Sequence, residues 1–143
     1  MAQVSAPPGD RLPALTKRVT QDTIDAWAKV SGDSNPLHTD PEFAATSRFG
    51  GTIAHGHLLL AWFCELLISW AGVAWLSAGE MLDVRFVAPV RPGALYEVTG
   101  TVADVQDGRA VIELEIAGPE GTCVRGGATA PIPDPAEGNG AAT

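Results

Sequence analysis

From Leu58 to Leu76 the chain reads LLLAWFCELLISWAGVAWL, almost without a polar residue. A run of this kind either crosses a membrane, which takes about twenty apolar residues, or lies buried at the centre of a protein. Glu65 interrupts it near the middle, Gly72 toward the end, and no Lys/Arg cluster flanks it. These features favour a helix buried within a fold. Such a helix must be covered on most of its circumference, and the rest of the chain has to supply the cover.

The second half of the chain does so. Leu82–Ala88 alternates in polarity and reads as a strand, followed by a turn at Arg91-Pro92-Gly93 and a second strand over Leu95–Val105. Asp107-Gly108 signals a hairpin into a third strand, Ala110–Ile116; Pro119-Glu120-Gly121 then turns into a fourth, Thr122–Ala130. Strands joined by such short turns pair antiparallel. The predicted class is α+β, one domain over 11–130, with an antiparallel sheet wrapped on the apolar helix. Residues 1–10 and 131–143 lack apolar periodicity and are expected to be flexible tails.

The first half is helical and loop-rich. Thr20 caps a predicted helix over about 21–30, with Ile24, Trp27, Ala28 and Ser31 as its inner stripe. SGDSNPLHTDP then breaks it, and Asp40-Pro41 opens a short helix over Glu42–Thr46.

Charge and cysteine content narrow the function. Nine Lys+Arg against seventeen Asp+Glu give −8 at pH 7, the wrong sign for wrapping a phosphate backbone, so nucleic acid is excluded as a partner. The 45% apolar content is that of a globular chain. Cys64 and Cys123 have neither disulfide-framework nor zinc-site spacing, and the N-terminus has no apolar secretory core, which together point to a cytoplasmic protein.

All three histidines, His38, His55 and His57, fall within twenty residues in the loop-rich region, and Asp33 precedes His38 by five. A carboxylate and an imidazole brought together by a Gly- and Pro-shaped loop can share a water, one as an anionic acceptor and the other exchanging a proton near neutrality. That equipment suits adding water to, or removing it from, an activated double bond. The competing readings are an Asx turn at Asp33 with a solvated His38, and a metal site built from Asp33, His38, His55 and His57. HxH without further ligand spacing gives the metal weak support, and none is expected. The glycines of FGGTIAHGHLLL leave backbone N–H groups free at a helix start, where they can receive an anion or an oxyanion. The pattern does not match a nucleotide P-loop.

SGDSNPLHTDPEFA followed by RFGGTIAHGHLLLAWF resembles the MaoC-like, (R)-specific enoyl-CoA hydratase family, and the resemblance extends more loosely through about residue 130. It implies a hotdog fold, usually paired as a dimer with the active site between subunits. It implies reversible syn hydration of a trans-2-enoyl-CoA to a (R)-3-hydroxyacyl-CoA, or the reverse dehydration. Asp33 and His38 match the family's catalytic pair, Asn35 and Pro36 the residues shaping its loop, and Gly56 the glycine whose N–H polarises the thioester carbonyl. No cofactor is implied, since coenzyme A belongs to the substrate, and an acyl-carrier protein is the other possible carrier. His57, where Met is common, and Cys64, where some members carry Ser, depart from the pattern. Arg48 and Arg91 are candidates for the coenzyme A phosphates. The alternatives are a hotdog thioesterase and a non-catalytic acyl-CoA-binding subunit.

Overall fold

The computed structural model describes residues 6–132. Strand β1 (Leu15–Arg18) leads into helix α1 (Gln21–Ser31), then two short helices, α2 (Pro36–Thr39) and α3 (Pro41–Ala45). The long helix α4 (Gly56–Ala71) and the short α5 (Trp75–Ala78) precede strands β2 (Glu80–Phe86), β3 (Leu95–Gln106), β4 (Arg109–Gly118) and β5 (Gly121–Pro131). The five strands form one antiparallel sheet in the order β1-β3-β4-β5-β2.

The predicted four-stranded sheet gains β1, which pairs with β3 from Leu15↔Val98 to Arg18↔Leu95. Four residues of LTKR carry too little alternation to announce a strand; pairing with a segment some eighty residues away makes it one. The Asp107-Gly108 hairpin forms as expected, with both residues at positive φ (52° and 73°), as a type I′ turn requires.

The apolar run is not one helix. Gly72 takes φ 80° and its N–H closes on the carbonyl of Ile68, so α4 stops at Ala71 and a turn separates it from α5. Among the described residues no helix is long and apolar enough to cross a membrane. Leu58, Leu59, Trp62, Phe63, Leu66, Leu67 and Ala71 are buried. They meet the inward residues of the sheet, Val98 and Val102 of β3, Ile112, Leu114 and Ile116 of β4, and Val124 of β5. Gly100 permits close approach, since a Cβ there would lie 3.1–3.3 Å from Leu12, Ile112 and Leu66. Glu65 points away from this core and pairs with Lys17 of β1, which is how one charge is accommodated in so apolar a helix.

The expected tails need adjustment where they are described. Ala6 is buried, Gly9 N–H donates to the Val102 carbonyl (2.8 Å), and Leu12 N–H to that of Gly100 (2.9 Å). Residues 6–12 therefore continue along the β3 edge that β1 leaves uncovered. Pro131 ends β5, while 1–5 and 133–143 lie outside the described residues. On α1, Ile24 and Ala28 are buried as expected but Ser31, in the last turn, is exposed.

Candidate active site

The segment between α1 and α4 is folded by a chain of local caps. Gly32 takes φ 78° and closes α1 by donating to Ala28. One Asp33 carboxylate oxygen, Oδ1, then accepts the Asn35 N–H (3.2 Å), an Asx turn, and Asn35 Oδ1 accepts the Leu37 N–H (3.0 Å). With Pro36 at its first position, this cap starts α2, a helix the sequence reading treated as broken loop. Asp40 and Pro41 repeat the device for α3. Asn35 and Pro36 thus set the short helix that presents His38.

His38 donates from Nδ1 to the Ile53 carbonyl (2.8 Å), leaving the Nε2 lone pair free. Its backbone carbonyl accepts from Gln21 Nε2 (2.8 Å), and Gln21 Oε1 accepts the Thr52 hydroxyl (2.6 Å). Gln21, at the start of α1, therefore clamps the His38 helix to the segment leading into α4. A single Gln in the first turn of a helix carries no sequence signal of such a role.

His55 is fully buried at the N-cap of α4 and donates from Nε2 to the backbone carbonyl of Asp33 (2.9 Å). Its ring stacks on that of His38, with centroids 3.9 Å apart. Burial pushes the His55 imidazole below its ordinary value, so it is neutral, and its Nδ1 has no partner among the described residues. The Asn35 N–H holds the Asp33 carboxyl below the usual carboxylate range, so Asp33 is ionised at neutral pH. One ligand atom from each of Asp33, His38 and His55 lies within 4.8 Å of the others. Two ~2.8 Å hydrogen bonds meeting at a water span about 4.6 Å, so one water can bridge the carboxylate and His38.

The same cluster is a poor cage for an ion. Two imidazoles on one tetrahedral zinc ion, with Zn–N near 2.1 Å, hold their centroids about 5 Å apart. The rings of His38 and His55 stack closer than that.

A cleft of about 570 Å³ opens beside the cluster, lined by His38, Gly56, Leu59, Phe86, Arg48 and Phe49 among others. Gly56 is the first residue of α4, and its N–H has no backbone acceptor among the described residues. The Phe86 ring lies against it, 3.1 Å from where a Cβ would stand. Arg48 stacks over the Phe49 ring (4.7 Å) at this cleft, whereas Arg91 lines a neighbouring hollow; the two cavities share Ala88 and Pro89. Cys64 is half-buried against the core and does not line the cleft, and burial pushes its thiol up. His57 also lies off the cleft lining, with Nε2 3.4 Å from Asp33 Oδ2.

The MaoC-like domain matches residues 3–120. The chain belongs to the MaoC-like family. It is 36% identical over 92 residues to 3-hydroxyacyl-thioester dehydratase Z of Mycobacterium tuberculosis, covering 62% of this chain and 61% of that protein. It is 49% identical over 53 residues to the (R)-specific enoyl-CoA hydratase of Aeromonas caviae, covering 37% of this chain and 40% of the relative. The chain thus spans about three fifths or less of the length of these curated relatives. Among solved structures, the (R)-hydratase of A. caviae involved in PHA biosynthesis superposes with a TM-score of 0.75 at 31% identity, over 92% of this chain and all of that one. The sheet wrapped on α4 is the hotdog fold of this MaoC-like protein.

Proposed function

We propose that this MaoC-like protein is a hydro-lyase that reversibly adds water across the double bond of a trans-2-enoyl thioester, giving the (R)-3-hydroxyacyl thioester. The observation that carries the reading is the ionised Asp33 carboxylate and the His38 imidazole within one water's reach, beside a cleft that holds the free N–H of Gly56. The water sits between Asp33 and the free Nε2 of His38. Its oxygen bonds to C3 as His38 takes one of its protons; the thioester oxygen gains charge as an enolate, and that charge is met by the Gly56 N–H. The proton then passes from the pair to C2 on the same face, so the net change is addition of H and OH. The thioester itself activates the double bond, and the step needs neither a metal nor a redox cofactor.

Coenzyme A or an acyl-carrier protein carries the acyl group; Arg48, at the cleft, is the better placed of the two arginines for its phosphates. A homodimer is expected, since edge strand β2 leaves Leu82 and Phe86 exposed, with Val87 after it; sedimentation at twice the chain mass checks this. A cytoplasmic setting suits two free thiols.

The deciding experiment adds the protein to crotonyl-CoA and follows the enoyl-thioester absorbance alongside free thiol. Hydration removes the absorbance without releasing thiol and yields (R)-3-hydroxybutyryl-CoA. Thiol release would make the protein a thioesterase, and binding without either change a non-catalytic subunit; both outcomes overturn the proposal.

A further inference from the structure

His57 stands outside the cleft, yet it is tied to the site through a path the hydration scheme does not use. Trp27, on the half-buried side of α1, donates its indole N–H to His57 Nδ1 at 2.6 Å. A ring nitrogen that accepts a hydrogen bond carries no proton, so the proton of the neutral imidazole is fixed on Nε2. That nitrogen lies 3.4 Å from Oδ2 of Asp33, a long but directed contact between two side chains that are each about two-fifths exposed. The other carboxylate oxygen already accepts the Asn35 N–H. Asp33 is therefore held at both oxygens, and each retains a further lone pair for a water.

We propose that His57 is a positioning residue for Asp33, and that Trp27 makes it one by dictating its tautomer. The indole sets which nitrogen bears the proton, the proton points at the carboxylate, and the carboxylate keeps one rotamer with respect to His38. Without the indole, His57 is free to carry its proton on Nδ1, and Oδ2 loses its donor. The ionisable groups in contact with His57 are Asp33 and His55, whose ring centroid is 5.2 Å away and which stacks in turn on His38. Of these, His55 is neutral through burial. The catalytic consequence rests on the hydratase reading, but the tautomer does not.

Long-range proton–nitrogen NMR spectra of the full chain test the first step. At neutral pH His57 is expected to show an unprotonated Nδ1 and a protonated Nε2, and Trp27→Phe is expected to abolish that pattern. A wild-type His57 protonated on Nδ1, or a pattern that survives Trp27→Phe, would overturn the proposal whether or not the protein hydrates crotonyl-CoA. With activity established, His57→Met is expected to lower kcat about threefold to tenfold, the scale of one hydrogen bond, with KM nearly unchanged. Protonation of the Asp33 carboxylate, followed by its side-chain carbon chemical shift, should move to higher pH in His57→Met, because the charged form of Asp33 loses a donor. His57→Gln, whose amide can still donate, should restore it. A merely structural histidine would shift the melting temperature and leave the Asp33 titration in place, and that result would also overturn the proposal. Loss of wild-type hydration with the tautomer intact would instead count against the hydratase reading.

Discussion

The imidazoles of His38 and His55 stack at 3.9 Å between centroids and 25° between planes, with the buried ring fixing the main chain of the residue that faces the half-buried one. The arrangement joins three parts of the chain. His55 begins α4, His38 sits on α2, and Asp33, whose carbonyl His55 holds, lies in the loop between α1 and α2. A second positive charge stacked on a protonated His38 would be opposed by both burial and repulsion, and both lower His55. The buried ring of the stack thus stays neutral and structural.

Stability should carry the mark of that neutral ring. The native His55 binds its proton only below the ordinary imidazole value of about 6.5, whereas the unfolded chain binds it there. The unfolded state then holds more protons, so stability falls as pH drops through that value and levels off below the native one. Denaturant midpoints measured from about pH 8 to about pH 5 should decline in the wild type and decline less in His55→Leu. Equal slopes in the two proteins would show that His55 is not the group responsible.

The catalytic assignment makes a sharper demand. Asp33→Asn keeps an acceptor oxygen but loses the charge, and His38→Gln removes the free imidazole nitrogen. Each variant should lower kcat by at least about a hundredfold, the usual scale for lost acid–base catalysis. Circular dichroism should be unchanged, since both residues are half-buried loop and short-helix positions. Near wild-type turnover in either variant would remove that residue from the chemistry.

At Gly56 the fold and the site compete for the same space. A methyl group there would come 3.1 Å from Phe86 Cζ and intrude on the free N–H. Because Phe86 is 52% exposed, its ring can yield, and Gly56→Ala should fold. Its kcat/KM should nevertheless drop roughly tenfold to a hundredfold, the scale of a misplacement of about 1 Å at a reacting centre. Phe86→Leu in the same chain should recover part of the loss. No recovery would mean that the methyl acts on the thioester rather than through the ring.

How much of this could be read beforehand differs by element. The helix at the centre and the sheet around it followed from one apolar run and a series of alternating segments, because burial imposes both patterns directly. Strand β1 and helix α2 escaped for opposite reasons. Leu15–Arg18 is too short to show a period and is a strand only because β3 offers an edge. Pro36–Thr39 did carry its signal, an Asx residue followed by Pro, identical in kind to the Asp40-Pro41 pair that was read as a helix start. At the site, Asp33, His38 and Gly56 were legible as a motif. The clamp by Gln21 and the contact of Trp27 with His57 were not, since they join residues 17 to 31 positions apart through side-chain hydrogen bonds that leave no periodicity.

Cys64 supplies the last test, because helical spacing and packing make different claims on it. Eight residues after Gly56 is about 2.2 turns, which places Cys64 on roughly the same side of α4 and within the reach that a serine would use to hold a water. In the fold, however, Cys64 packs half-buried against the apolar core, outside the cleft lining, and its thiol is pushed up by burial rather than activated. It acts as a small hydrophobe. Cys64→Ala should therefore lower stability by about 1 kcal/mol and leave turnover at saturating crotonyl-CoA unchanged. Cys64→Ser should gain nothing in rate, because the side chain at that position packs on the core, outside the cleft lining. A clear rise in kcat with Ser and a fall with Ala would return Cys64 to the catalytic pair, and would mean that α4 rotates toward the site when substrate binds.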